Sequence, residues 1–226
     1  MNIEELLNEW VKLDYILPED VPEIELYMDQ VTTFMEQKLK NNNRYDNDKT
    51  LTKTMINNYT KNHLLPPPVK KKYSKNHIFL LIYIYYLKNF LSINDISVIL
   101  SPLMEHFEEK DDLKNIYETI FQLEKEHTKV LQTSIEETYQ KSLNTFSGEN
   151  KEYLEQLSFI SLLSYDIYLK KQVLEKLIDE MALSSKELGK HSKKTKKTSE
   201  EEAKKSNKGS EEETKKDNKG NEKEES

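Results

Sequence analysis

The 226-residue chain has no cysteine, which excludes disulfides, thiolate metal ligands and a cysteine nucleophile together. Four glycines are scarcely enough for a Gly-rich phosphate loop, and neither a nucleophile motif nor a paired-carboxylate signature is present. The five histidines, at 63, 77, 106, 127 and 191, lack the i, i+4 spacing of a metal site. His106 with Glu105, Glu108 and Glu109 reads as a surface patch. No enzyme, metal or cofactor is therefore expected. The longest apolar run, Ile78 to Leu87, is about half the ~20 residues that a membrane span needs. The first ten residues are acidic and lack the apolar segment of a secretory signal. A cytoplasmic protein without membrane contact is the expectation.

One absence is local. From Lys49 to Asn94 there is no Asp or Glu, while eight lysines fall there, at 49, 53, 61, 70, 71, 72, 75 and 88. The stretch carries +8 in a chain of net charge −7, so the remainder carries −15. A basic island in an acidic chain marks one surface for a polyanion. Charged residues make up 33% and hydrophobic ones only 35%, too polar for one globule of this length, so part of the chain should be disordered.

Apolar residues at Leu6, Leu7, Trp10, Leu13 and Tyr15 suit a short amphipathic helix. Pro22 is placed to open a second helix, with Glu23 and Glu25 in its first turn and Ile24, Met28, Val31, Met35 and Leu39 on its inner face. Thr52 predicts the N-cap of the next helix, with Leu51 and Ile56 as a staple. At 100° per residue, Leu51, Met55, Ile56 and Tyr59 lie on one side and Lys53, Thr54, Asn57, Thr60 and Lys61 on the other. Pro66-Pro67-Pro68 ends that helix. Ser74 predicts the cap of a core helix apolar on nearly all sides, in which Tyr83, Tyr85 and Tyr86 belong to packing rather than to base stacking. Ser92 with Asp95 matches a capping box for a short helix ending before Pro102.

From Asp111 the spacing predicts two long helices broken at Ser147-Gly148, the first with a polar interruption near Glu124 to Lys129, packed antiparallel. The stretch SFISLLSYDIYL suits either a core or an interface. Beyond Ser185 the apolar residues are Leu188 and Ala203, in alternating Lys and Glu blocks, the composition of a disordered tail.

The motif LTKTMINNYTKNHLLPP, Leu51 to Pro67, resembles the MerR-type regulators, whose form is roughly V-S-x-x-T-L-R-Y-Y-E-x-x-G-L-L-x-P. Thr52 stands at the capping Ser, Ile56 at the Leu, Tyr59 at the second Tyr, and Leu64-Leu65 at the closing leucines. LYMDQV at Leu26 to Val31, together with TKTMINNY, also resembles an uncharacterised bacterial family, domain of unknown function 1836, over roughly Leu6 to Leu103. The MerR resemblance implies a winged helix-turn-helix whose second helix enters the major groove and a long C-terminal helix that dimerises. It departs from the family where Arg becomes Asn57 and Gly becomes His63, in a shortened wing, and in twelve residues between Leu39 and Thr52.

The combined expectation is an all-α chain. Residues 1–104 form a MerR-like helix-turn-helix DNA-binding domain with an N-terminal helical extension. Residues 105–184 form a helical dimerisation or effector region, a long-helix hairpin or small bundle, and 185–226 a disordered charged tail. Its function is that of a DNA-binding transcriptional regulator, a homodimer on double-stranded DNA. Lys53, Lys61, Lys70, Lys71, Lys72 and Lys75 neutralise phosphates, Asn57 pairs with adenine, and Thr54 and Asn58 assist. The alternative is a protein-interaction module that kept the fold without specific DNA contact.

Overall fold

A computed structural model describes residues 15–45, 47–105, 107 and 112–220, with side chains to Ser185 apart from Glu105 and Asp112. The described chain is mostly helical: α1 (Met28–Leu39), α2 (Lys53–Lys61), α3 (Lys75–Leu87), α4 (Ile93–Glu105), α5 (Asp112–Ser142) and α6 (Lys151–Gly220). Two short strands, β1 (Leu26–Tyr27) and β2 (Lys72–Tyr73), pair antiparallel with Leu26 opposite Tyr73 and Tyr27 opposite Lys72. The described residues through Ile178 form one compact unit and those from Asp179 onward another. Among the described residues no helix is long and apolar enough to cross a membrane.

Helix α3 is the centre of the core, as its sequence predicts. Ile78, Phe79, Leu80, Leu81, Ile82, Ile84 and Tyr85 are all buried, which only neighbours on every side can achieve. Each such aliphatic or Phe side chain contributes about 1.5–3 kcal/mol on burial. The tyrosines pack as expected: Tyr85 is buried, while Tyr83 and Tyr86 lie against the core beside Tyr117 of α5 and Tyr15. The Tyr117 hydroxyl donates to the Ile16 carbonyl at 2.6 Å, fastening α5 to the segment before α1.

Three boundaries differ from expectation. Helix α1 begins at Met28 rather than Pro22, because Leu26 and Tyr27 are drawn into pairing with β2, and Ile24 is left 69% exposed. Helix α4, capped by reciprocal Ser92–Asp95 hydrogen bonds, continues through Pro102 to Glu105. A proline in the last turn removes few ladder bonds, so the helix survives it. Helix α5 is unbroken across Glu124 to Lys129.

Residues 143–150 turn the chain between α5 and α6, with Asn144 and Gly148 at positive φ. Tyr139 meets Phe159 edge-on across the base of this hairpin, and Ile178 is buried in the same cluster as Leu113, so α6 runs back along α5. The expected N-terminal helix over residues 2–16 falls almost wholly on residues 1–14, outside the described residues, as do His106, Glu108 and Glu109. The compositional tail lies beyond the described side chains, and residues 221–226 lie outside altogether.

Candidate nucleic-acid interface

Helix α2 is built as its sequence requires. Thr52 Oγ1 accepts the Met55 N–H at 3.1 Å as N-cap, and Ile56 and Tyr59 are buried. That burial points Lys53, Thr54, Asn57, Asn58 and Lys61 outward, and all five are exposed. The C-terminus closes in a Schellman motif: Leu64 N–H donates to Tyr59 O at 2.9 Å and His63 N–H to Thr60 O at 3.2 Å. His63 takes φ +56°, where glycine is normally favoured. Leu64 and Leu65 then insert into the core.

The connection from α1 to α2 is long but fastened. Thr50 N–H donates to Glu36 Oε2 of α1 at 3.3 Å, and Lys88 Nζ donates to Thr50 O at 2.6 Å. Lys88 also lies over the Tyr85 ring, and burial lowers its pKa. This member of the basic island is structural.

The lysine triplet forms a two-residue hairpin. Val69 and Lys72 exchange backbone hydrogen bonds at 2.9 and 3.1 Å, with Lys70 at φ +51° and Lys71 at φ +66° between them. Two positive φ angles at the central positions are those of a type I′ turn, normally filled by Asn-Gly. Lysine there costs backbone energy and places two exposed ammonium groups at the tip. Under the hairpin, Ser74 N–H donates to His77 Nδ1 at 3.0 Å. The buried imidazole sits edge-on to Tyr73 and Phe107. Burial lowers the His77 pKa, opposed by the carbonyls of Pro67 and Pro66, towards which Nε2 faces without a well-formed hydrogen bond.

An acidic segment lies between helix and hairpin. Lys53 pairs with Asp29, Lys72 with Glu25 at 3.8 Å, and Lys75 with Glu23. The hydrogen bond and charge of Lys75 hold the Glu23 carboxyl below its ordinary pKa. Lys72 also stands over the Tyr27 ring at 5.7 Å. Because Glu25 and Asp29 flank β1, the start of α2 and the hairpin are brought to either side of one short strand. Lys61, Lys70 and Lys71 have no ion-pair partner among the described residues.

This domain has a match among known families. Residues 16–121 match the family described as Domain of unknown function (DUF1836). No curated protein and no solved structure matches the chain. The matched region contains all nine candidate residues and ends at Phe121, the last buried side chain of α5 before a run of exposed ones.

Within the matched region the nine candidates divide into two groups. Thr54, Asn57, Asn58, Lys61, Lys70 and Lys71 are exposed and make no side-chain hydrogen bond or ion pair among the described residues. Lys53, Lys72 and Lys75 are engaged by acids, and Lys75 is only 16% exposed in its side chain. The acids are the participants that sequence reasoning missed. Their signal is the i, i+2 alternation of Glu23 and Glu25, which suits an extended segment better than a helix.

Proposed function

We propose that the DUF1836 region is the DNA-binding module of a transcriptional regulator. In this reading α1 and α2 form a helix-turn-helix of the MerR type with a lengthened turn, and Val69–Lys72 is a reduced wing. The exposed face of α2 enters the major groove, where Asn57 offers the paired donor and acceptor that adenine accepts, with Thr54 and Asn58 beside it. Lys61, Lys70 and Lys71 contact phosphates. The supporting observation is that Thr54, Asn57, Asn58 and Lys61 of α2 and Lys70 and Lys71 of the hairpin tip stand exposed, with no side-chain hydrogen bond or ion pair among the described residues, in an acid-free stretch. Two such faces on a homodimer would read palindromic half-sites.

Electrophoretic shift of genomic fragments by the full chain over a salt series tests the proposal. Binding that weakens as salt rises supports it, and no binding at low salt rejects it.

The three ion pairs favour a second reading, a protein-interaction module on the same fold. They offset part of the basic charge and lie beside exposed Ile24, Tyr27 and Val69. Recovery of a defined protein partner whose binding survives substitution of Lys70 to Lys72 would support this reading over DNA contact.

A further inference from the structure

Helix α6 is held at two places and bare between them. Phe159 is buried beside Tyr139 of α5, and Ile178 is buried in the core cluster. Every residue from 164 to 173 is exposed. Ile160 and Ile167 fall within the same 100° or so of the circumference as Phe159, Leu163, Leu174 and Ile178, the side turned to α5. They are nevertheless 60% and 66% exposed. Tyr165, Leu169 and Val173 lie on the opposite side and are no part of this run.

On α5 the matching stripe is Tyr117, Phe121, Glu124, Thr128, Leu131 and Ile135, within about 80° of its circumference. The chain entering the domain covers its first half. Tyr117 holds the Ile16 carbonyl, and Tyr15 packs edge-on against Phe121 at 5.8 Å with its hydroxyl reaching Thr128. From Ile16 back to Tyr15 the chain thus advances along α5 towards its C-terminal end. Burial raises the pKa of Glu124, the charged member of the stripe. Past Thr128 the cover thins: Ile135 is half-buried and Leu131 is 39% exposed.

We propose that residues 1–14, which lie outside the described residues, continue this path as an amphipathic helix laid between α5 and α6. Their apolar residues Leu6, Leu7, Trp10 and Leu13 fall within about 120° and would face Leu131, Ile160 and Ile167. Fourteen helical residues rise about 21 Å, the same as α5 from Phe121 to Ile135. On that path Trp10 comes between Phe121 and Leu131, about level with Ile167. Attachment at Tyr15 gives the segment a high effective concentration that an untethered partner lacks. The family match points the same way: it runs from residue 16 to residue 121, and Tyr15 touches Phe121 at its two ends. The two flanks therefore leave the matched region side by side, and together they make a three-helix module.

Trp10 is the chain's single tryptophan, so the fluorescence of the full chain reports on it alone. Its emission should be blue-shifted, and its quenching by acrylamide several-fold weaker than in the urea-unfolded chain. Leu131→Asp with Ile167→Asp should move both towards the unfolded values with helical circular dichroism retained, because both side chains are exposed in α5 and α6. If that variant loses helicity, the milder Leu131→Ser with Ile167→Ser decides by the same shift. Trp10 as readily quenched in the folded chain as in urea would overturn the proposal, as would protection that a folded variant leaves unchanged. Protection lost on dilution would place the segment on a second copy and would equally overturn it.

Discussion

Lys53, the first residue of α2, is held in an ion pair by Asp29, the second residue of α1. The same acidic segment engages Lys72 and Lys75 through Glu25 and Glu23. On the DNA reading these carboxylates compete with phosphate for three lysines. Asp29→Asn with Glu25→Gln and Glu23→Gln should tighten non-specific duplex binding. The slope of log K against log salt should steepen by about 0.9 for each lysine that then reaches a phosphate. An unchanged slope would mean that these lysines never face the backbone.

The Schellman closure of α2 gives a stability prediction independent of function. His63 occupies the left-handed position, and His63→Gly should stabilise the fold by about 1 kcal/mol. The rise in urea midpoint at unchanged m-value would report it.

At the hairpin tip, stability and function should separate. Lys70→Asn with Lys71→Gly installs the residues that a type I′ turn favours and should raise stability by roughly 1–2 kcal/mol. The same change removes two unpaired charges and should weaken binding to every duplex alike. Weaker folding would show that the turn is not the type I′ described above.

His77 makes stability depend on pH. Its folded-state pKa is lowered by burial, so below about 6.5 the unfolded chain binds a proton that the folded chain resists. The stabilisation is therefore present above that pH and lost as pH falls through the folded-state value. Urea midpoints at pH 7.5 and 5.5 should differ in the wild type by more than in His77→Gln. Equal differences would remove His77 as the cause.

Local chemistry was legible in the sequence wherever neighbours along the chain decide it. The Thr52 cap, the Ser92–Asp95 box and the all-round apolarity of α3 needed no tertiary information. The start of α1 was not legible, because Leu26 and Tyr27 become a strand only by meeting Tyr73 and Lys72. For the same reason the sequence could not show which lysines of the basic island are engaged within the fold. Lysines count equally in composition, yet Lys88 is fastened to Thr50 and three others to acids upstream of the basic run. The left-handed Lys70 and Lys71 escaped notice because VKKKY lacks the Asn or Gly that marks such a turn.

In the proposed function α2 reads DNA while the hairpin tip holds its backbone. Fluorescence anisotropy of a labelled genomic duplex, titrated with wild type, Asn57→Ala and Lys71→Ala between about 50 and 200 mM salt, tests it most directly. On that proposal wild-type affinity falls as salt rises, Lys71→Ala weakens all sequences and reduces the slope by about 1, and Asn57→Ala relaxes sequence preference. Salt-independent binding, or no binding at the lowest salt, would contradict it.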